Sequence, residues 1–236
     1  MTSSHAKIKN TALRPWRDLL KKLAFACAVL VLILHAWTAQ LAFIVLDTAS
    51  WGVGRLPSDW QVKVNHGKPQ ISVCADHDGS CLHMRSEKAS FALEHPVDVD
   101  PAQMPYLTWH WKVTRLPEGG DFRHADTDDQ AAQVLVAFDD RRILSYIWDT
   151  SAPQGSEQRS SFIPLLHVFA VVCQSGAANA NRWIPEIRNV AADYEHAYGK
   201  PAPRVKGLRL QINSQHTGTI AESYFGQVAF RSTPME

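Results

Sequence analysis

The chain has 236 residues, 45% of them hydrophobic and 20% charged, with 24 Lys and Arg against 23 Asp and Glu for a formal net charge of +1. A chain this close to neutral lacks the basic footprint that nucleic-acid binding needs, since that affinity comes mainly from cations neutralising phosphates. Its histidines and four cysteines fall in no His-x-x-x-His or Cys-x-x-Cys spacing, so no metal and no cofactor are expected.

The charge is unevenly spread. Residues 1–22 carry Lys7, Lys9, Arg14, Arg17, Lys21 and Lys22 against Asp18 alone. Leu23 to Leu34 is uninterrupted apolar sequence, and the apolar character runs on to Leu46 past His35, Thr38 and Gln40. A basic flank before such a run is a signal peptide or a membrane anchor. Residues 23–46 are long enough for a span, which takes about 20 residues. A cut after Ala39 would leave Trp37, and a cut after Ala42 would leave Gln40, at the position where cleavage sites carry a small residue. The expectation is export to the periplasm or beyond, with an uncleaved anchor favoured over a cleaved signal. The inner membrane is then a partner, and a helix covers residues 23 to about 44.

Residues 47–236 read as one β domain. Asp47–Trp60 is an entry punctuated by Gly and Pro. Cys74 and Cys81 flank a turn-rich stretch, so a hairpin would bring them together. In an oxidising compartment they are expected to form a disulfide. Cys173 reads as a small buried apolar residue.

Tyr106–Val113 alternates Leu107, Trp109, Trp111 and Val113 with Tyr106, Thr108, His110 and Lys112, as a strand with one buried face does. The tryptophan stripe is expected in the core rather than as a sugar platform. Asp121, Asp126, Asp128 and Asp129 form a charged loop without EF-hand spacing. Capping of the local backbone by Asp128 or Asp129 is favoured there over calcium binding.

Gln133–Asp139 and Ile143–Trp148 are predicted as a hairpin. Tyr146 and Trp148 are left open between core and ligand. His167–Ser175 is nearly continuous apolar and is predicted as a central strand. Glu186 and Arg188 share one face of an extended segment and are expected to pair, with Asp193 nearby. Val190–Tyr198, ended by Gly199, is predicted as the one helix of the domain. Val205–Asn213 buries Leu208, Leu210 and Ile212 and leaves Arg209, Gln211 and Asn213 on the other face. Glu222–Arg231 is the last strand. The predicted fold is mainly β: an antiparallel two-sheet sandwich, jelly-roll-like, with one short helix and a preceding N-terminal hydrophobic helix.

Several stretches carry a resemblance. They are Pro105–Val113, Asp128-Asp129-Gln130-Ala131-Ala132, Tyr146–Asp149 and Ser175-Gly176. Next come Trp183–Val190 with Asp193-Tyr194 and Tyr198-Gly199, and last Thr217-Gly218 ahead of Tyr224-Phe225-Gly226. In order and spacing they resemble an uncharacterised family of exported bacterial proteins known only as a domain of unknown function, over Trp51 to Phe230. The resemblance implies a β-sandwich like that of carbohydrate-binding modules and no established activity. It also implies two departures. An acidic run of the family is Asn213-Ser214-Gln215-His216-Thr217 here, and a family Arg is Gln133. If both sides of an ion pair became amides, Gln133 should face the Asn213–Gln215 segment, because a buried charge left alone is costly.

The function expected is non-catalytic binding of a glycan or another envelope component. The candidate ligand-binding residues are His110, Gln133, Tyr146, Trp148, Arg209, Gln211, Asn213 and His216. Asp128, Asp129, Glu186, Arg188 and Asp193 are structural polar candidates. One rival is a polysaccharide lyase or hydrolase using Glu186, Asp193 or His216. The other is a structural partner in an envelope complex, marked by an exposed apolar patch. No Gly-x-Ser-x-Gly elbow or phosphate loop is present.

Overall fold

The computed structural model describes residues 41–76, 79–160 and 167–234. The basic flank and the apolar run up to Gln40 lie outside the described residues.

Thirteen strands and one α-helix are assigned in the described residues. The strands are β1 (Ala42–Leu46), β2 (Gln61–His66), β3 (Ile71–Asp76), β4 (Gly79–Glu87), β5 (Ser90–Val99) and β6 (Tyr106–Arg115). Then come β7 (Ala132–Phe138), β8 (Arg142–Asp149), β9 (Glu157–Ser160), β10 (His167–Ser175) and β11 (Ile184–Asn189). Helix α1 (Val190–Tyr198) precedes β12 (Val205–Asn213) and β13 (Ile220–Arg231). One sheet runs β11-β6-β13-β4-β3, with β1 also paired to β13, and the other runs β2-β5-β12-β7-β8-β10-β9. Every pairing is antiparallel except the parallel one between β8 and β10.

The sheets close on the side chains that alternation assigns inward. Leu107, Trp109, Trp111 and Val113 of β6 are fully buried. Trp109 packs on Trp111 at 5.4 Å between ring centroids and on Tyr146 of the opposite sheet at 5.3 Å, and Trp111 meets Trp148 at 5.8 Å. Aromatic pairs at such separations add to the gain from burial. Tyr146 and Trp148 therefore belong to the core and are not ligand contacts. The Tyr146 hydroxyl donates to Asp193 Oδ2 at 2.7 Å and the Trp148 indole to the Gly176 carbonyl at 3.0 Å.

Two expectations are corrected. Residues 42–46 are a strand and not the end of a hydrophobic helix. The partners run from Ala42 opposite Arg231 to Leu46 opposite Val228, and Val45 and Leu46 are buried. A short apolar run does not by its periodicity separate helix from strand. Second, β10 lies one strand from the sheet edge. It reads as central because its outer face is also covered. Ala170 and Val172 pack with Ile147, Ala152 and Phe122, the last carried in by the loop before β7. The expected hairpin does bring Cys74 and Cys81 together, as direct cross-strand partners with sulfurs 3.0 Å apart.

Helix α1 occupies the predicted residues. The Asn189 side chain accepts from the Ala192 amide at 3.0 Å, and Gly199 ends the helix at φ 69°, a left-handed conformation that glycine adopts without strain.

Candidate functional site: a groove on the seven-stranded sheet

The outward face of the larger sheet carries polar side chains on one half and small apolar ones on the other. In register, Gln211 of β12 lies beside Gln133 of β7, and Gln133 beside Ile147 of β8. One step along, Arg209 lies beside Leu135, Leu135 beside Ser145, and Ser145 beside Ala170 of β10. The loop before β7 rises over this face and encloses a groove of about 390 Å³. Gln133, Arg209, Gln211 and Asn213 all line it.

That loop is held from below. Asp149 is fully buried and its carboxyl accepts from the amides of Phe122 (2.9 Å), Ser151 (2.8 Å) and Ala152 (2.7 Å). Burial nonetheless pushes the Asp149 carboxyl above its usual range. Gly120 lies so close to the Asp129 carbonyl that a Cβ there would sit 2.6 Å from the oxygen. No larger residue fits without moving the groove wall.

Asn213 is the hub of the site. Its Oδ1 accepts from Gln133 Nε2 at 2.7 Å and from the Gln130 amide at 2.9 Å, while its Nδ2 donates to the Asp128 carbonyl at 2.7 Å. Gln133 thus faces Asn213 across neighbouring strands, as the sequence reading expects. Gln215 does not take part; its Nε2 lies 3.3 Å from His216 Nδ1. Arg209 makes an ion pair with Glu94 of β5 and donates to Gln211 Oε1 at 3.3 Å.

The acids of the loop have separate tasks. Asp128 lines the groove and accepts from Gln130 Nε2 at 2.8 Å, and burial raises its pKa. Asp129 is fully buried, and it accepts from the amide of distant Thr217 at 2.6 Å. It fastens the turn after β12, not its own loop. His216 sits beside them, its Nδ1 3.1 Å from the Asp128 carbonyl. Among the described residues, no three His, Cys, Asp or Glu side chains converge as a metal site would need.

The remaining candidates lie elsewhere. His110 is on the outer face of the other sheet, beside Trp183, Gly226 and Gln227. It cannot join the groove residues because β6 belongs to the six-stranded sheet. Burial and the nearby charge of Arg231 lower its pKa. Glu186 and Arg188 share a half-buried face but do not pair with each other. Arg188 forks onto Asp193 through Nε at 2.9 Å and Nη2 at 2.7 Å, and Glu186 accepts from Gln174 Nε2 at 2.7 Å. An acid two residues away along a strand points the same way, whereas Asp193, from the first turn of α1, meets the guanidinium head on.

The sequence reading missed Asn65, Phe122, Gln130 and Gln158 in the groove wall and Leu135, Ile143, Ser145 and Ala170 in its floor. The floor was legible in principle, since it is the other phase of the strands whose inward residues were named.

No curated protein matches the sequence. Solved structures similar to this one include the xyloglucanase domain of a type three effector from Sinorhizobium fredii, at 7% identity and a TM-score of 0.47, covering 79% of this chain and 100% of that one. A family 11 carbohydrate-binding module of a cellulosomal cellulase of Clostridium thermocellum is similar at 8% identity and a TM-score of 0.45, over 82% of this chain and 95% of that one. An endoglucanase from Rhodothermus marinus is similar at 8% identity and a TM-score of 0.45, over 82% of this chain and 100% of that one. Residues 50–229 match the model of a family described as a protein of unknown function, DUF3047, and the chain belongs to that family.

Proposed function

We propose that the protein is exported and that its β-sandwich binds a glycan, without turning it over, in the groove on the seven-stranded sheet. One observation carries the reading: Gln133, Gln211 and Asn213, with Arg209, stand fixed by mutual contacts beside a floor of Leu135, Ile143 and Ala170. Side-chain amides supply directional donors and acceptors together, which matches sugar hydroxyls. Small apolar side chains suit the C–H faces of the rings. Groups already held in place lose little freedom on binding, which favours affinity.

Binding is favoured over hydrolysis by the carboxyl inventory. A glycosidase uses two carboxyls about 5–10 Å apart across its cleft. Asp128 is the sole carboxyl among the described residues lining the main groove. The acids named for the rival reading, Glu186 and Asp193, are engaged with Gln174 and Arg188.

A glycan array probed with the full chain in detergent tests the reading, followed by product analysis of every hit. The expected outcome is retention of an intact glycan, with Gln211→Ala weakening it about tenfold, or ~1.4 kcal/mol, at unchanged melting temperature. Released sugar would overturn the non-catalytic reading. Export is tested by fractionation and N-terminal sequencing. A full-length membrane form indicates the anchor and a start near Gln40 a cleaved signal, whereas a soluble cytoplasmic pool overturns both.

A further inference from the structure

The groove does not end at Arg209. A second depression of about 380 Å³ adjoins it on the side of β2 and β5, and the two share Leu135, Ile143 and Arg209. Strand register shows how they connect. Gln61 of β2 is opposite Glu94 of β5, Glu94 is opposite Arg209 of β12, and Arg209 is opposite Leu135 of β7. Leu135 is opposite Ser145 of β8, whose partner Ala170 of β10 is opposite Gln158 of β9. A single row therefore crosses the whole sheet at right angles to its strands. Six strand spacings of about 4.8 Å give it a length of roughly 29 Å. That length suits an oligosaccharide of several residues, far more than one sugar ring.

The charges along this row are already matched. Arg209 is held by Glu94. Lys206, in the second depression, is held by Asp98 at 2.9 Å. The His95 ring lies 3.1 Å from the Asp59 carbonyl. The carboxyl of Asp128 also lines the groove, beside Asn213 at the end of β12. An anionic ligand would have to displace Glu94 from its arginine or approach Asp128, and each costs free energy. A neutral chain leaves these pairs intact and still finds donors and acceptors at Gln61, at the Arg209–Glu94 pair, at Ser145 and at Gln158.

We infer that the ligand of this face is an uncharged, extended oligosaccharide that lies across the strands and touches both depressions over the Arg209–Glu94 pair. The inference rests on the glycan-binding reading and adds to it the charge, minimum length and direction of the ligand.

Calorimetric titration of the full chain in detergent tests it. The probes are neutral cello-, xylo- and manno-oligosaccharides from disaccharide to hexasaccharide, with oligogalacturonates of the same lengths. Affinity for a neutral series should rise at least tenfold from disaccharide to hexasaccharide. The oligogalacturonates should bind at least tenfold more weakly than the neutral chains of equal length. Gln61→Ala and Gln158→Ala, at opposite ends of the row on the two edge strands, should each weaken hexasaccharide binding severalfold. At most one of them should change disaccharide binding, and both should keep the parent melting temperature. Affinity independent of length, or an effect of only one end on the hexasaccharide, overturns the crossing direction. Tighter binding of oligogalacturonate overturns the neutral ligand while leaving glycan binding intact. Heat exchange with none of the sugars overturns the glycan reading itself, and the inference with it.

Discussion

Asn213 does work that neither an aspartate nor a hydrophobic residue could do. Its carbonyl oxygen receives two hydrogen bonds and its amide nitrogen gives one to the Asp128 carbonyl. A carboxylate would accept from Gln133 but would face the Asp128 oxygen without a proton to give, close to two other acids. Gln133, 5% exposed, matches it with a neutral donor. Gln133→Arg should therefore destabilise the domain by about 3 kcal/mol, as a buried guanidinium left without a partner does. Adding Asn213→Asp should recover more than half of that by forming an ion pair. A deficit of about 1 kcal/mol should remain for the lost donor to Asp128. Urea unfolding of the single and double variants measures this coupling, and additive changes would show that the two positions do not communicate. The contact was legible because both departures from the family pattern fall on neighbouring strands. The role of Gln130 was not, since a loop residue has no strand parity to follow.

At the level of elements, the β3–β4 pair holds two cysteines in position for a bridge. Register places Cys74 opposite Cys81, and the sulfurs lie 3.0 Å apart. A small closure of the side chains brings the sulfurs to bonding distance, and an oxidant of the compartment takes up the two electrons. In protein recovered from an oxidising compartment, non-reducing mass spectrometry should find these two joined. Their bridge should stabilise the fold by about 2–3 kcal/mol, the figure expected for so short a loop. Cys74→Ala should remove that increment. Recovery of both as freely alkylated thiols would refute the bridge. The hairpin follows from the turn residues between two alternating runs, and the helix from its cap and its terminal glycine. The strand character of Ala42–Leu46 was hidden, because pairing with β13 decides it and no local pattern does.

Across the whole molecule, helix and sandwich are tied through one turn. Asp140, between β7 and β8, accepts from Tyr194 of α1, from Arg142 at 2.6 Å and from Lys200 at 2.9 Å. Burial alone would raise its pKa, but the hydrogen bonds from Tyr194, Lys200 and Arg142 outweigh it and hold the carboxyl well below the usual carboxylate range. A folded pKa below the unfolded one gives stability that is present above about pH 4 and is lost as pH falls further. Asp140→Asn should cost about 1–3 kcal/mol at neutral pH and flatten the loss of stability below pH 4. Asp128 and Asp149, both raised by burial, act with the opposite sign, losing stability as pH rises through their folded pKa values. The comparison of parent and variant isolates Asp140. Denaturant midpoints measured from pH 3 to 7 check it, and parallel curves for the two proteins would refute the assignment.

By itself the sequence determined the two-sheet sandwich, the inward tryptophans of β6, the bounds of α1 and the polar outward face of β12. Each follows from alternation or capping, which are local and survive in a string of residue types. Only the tertiary structure decided that Tyr146 and Trp148 are core, because a ring at a strand end is buried or exposed according to what the opposite sheet places over it. It likewise decided that Arg188 holds Asp193 and not Glu186, and that His110 faces away from the groove. Which strands become neighbours is set by how two sheets bury their apolar faces together. The groove exists only after β12, β7, β8 and β10 are side by side and the loop carrying Phe122 has folded over them.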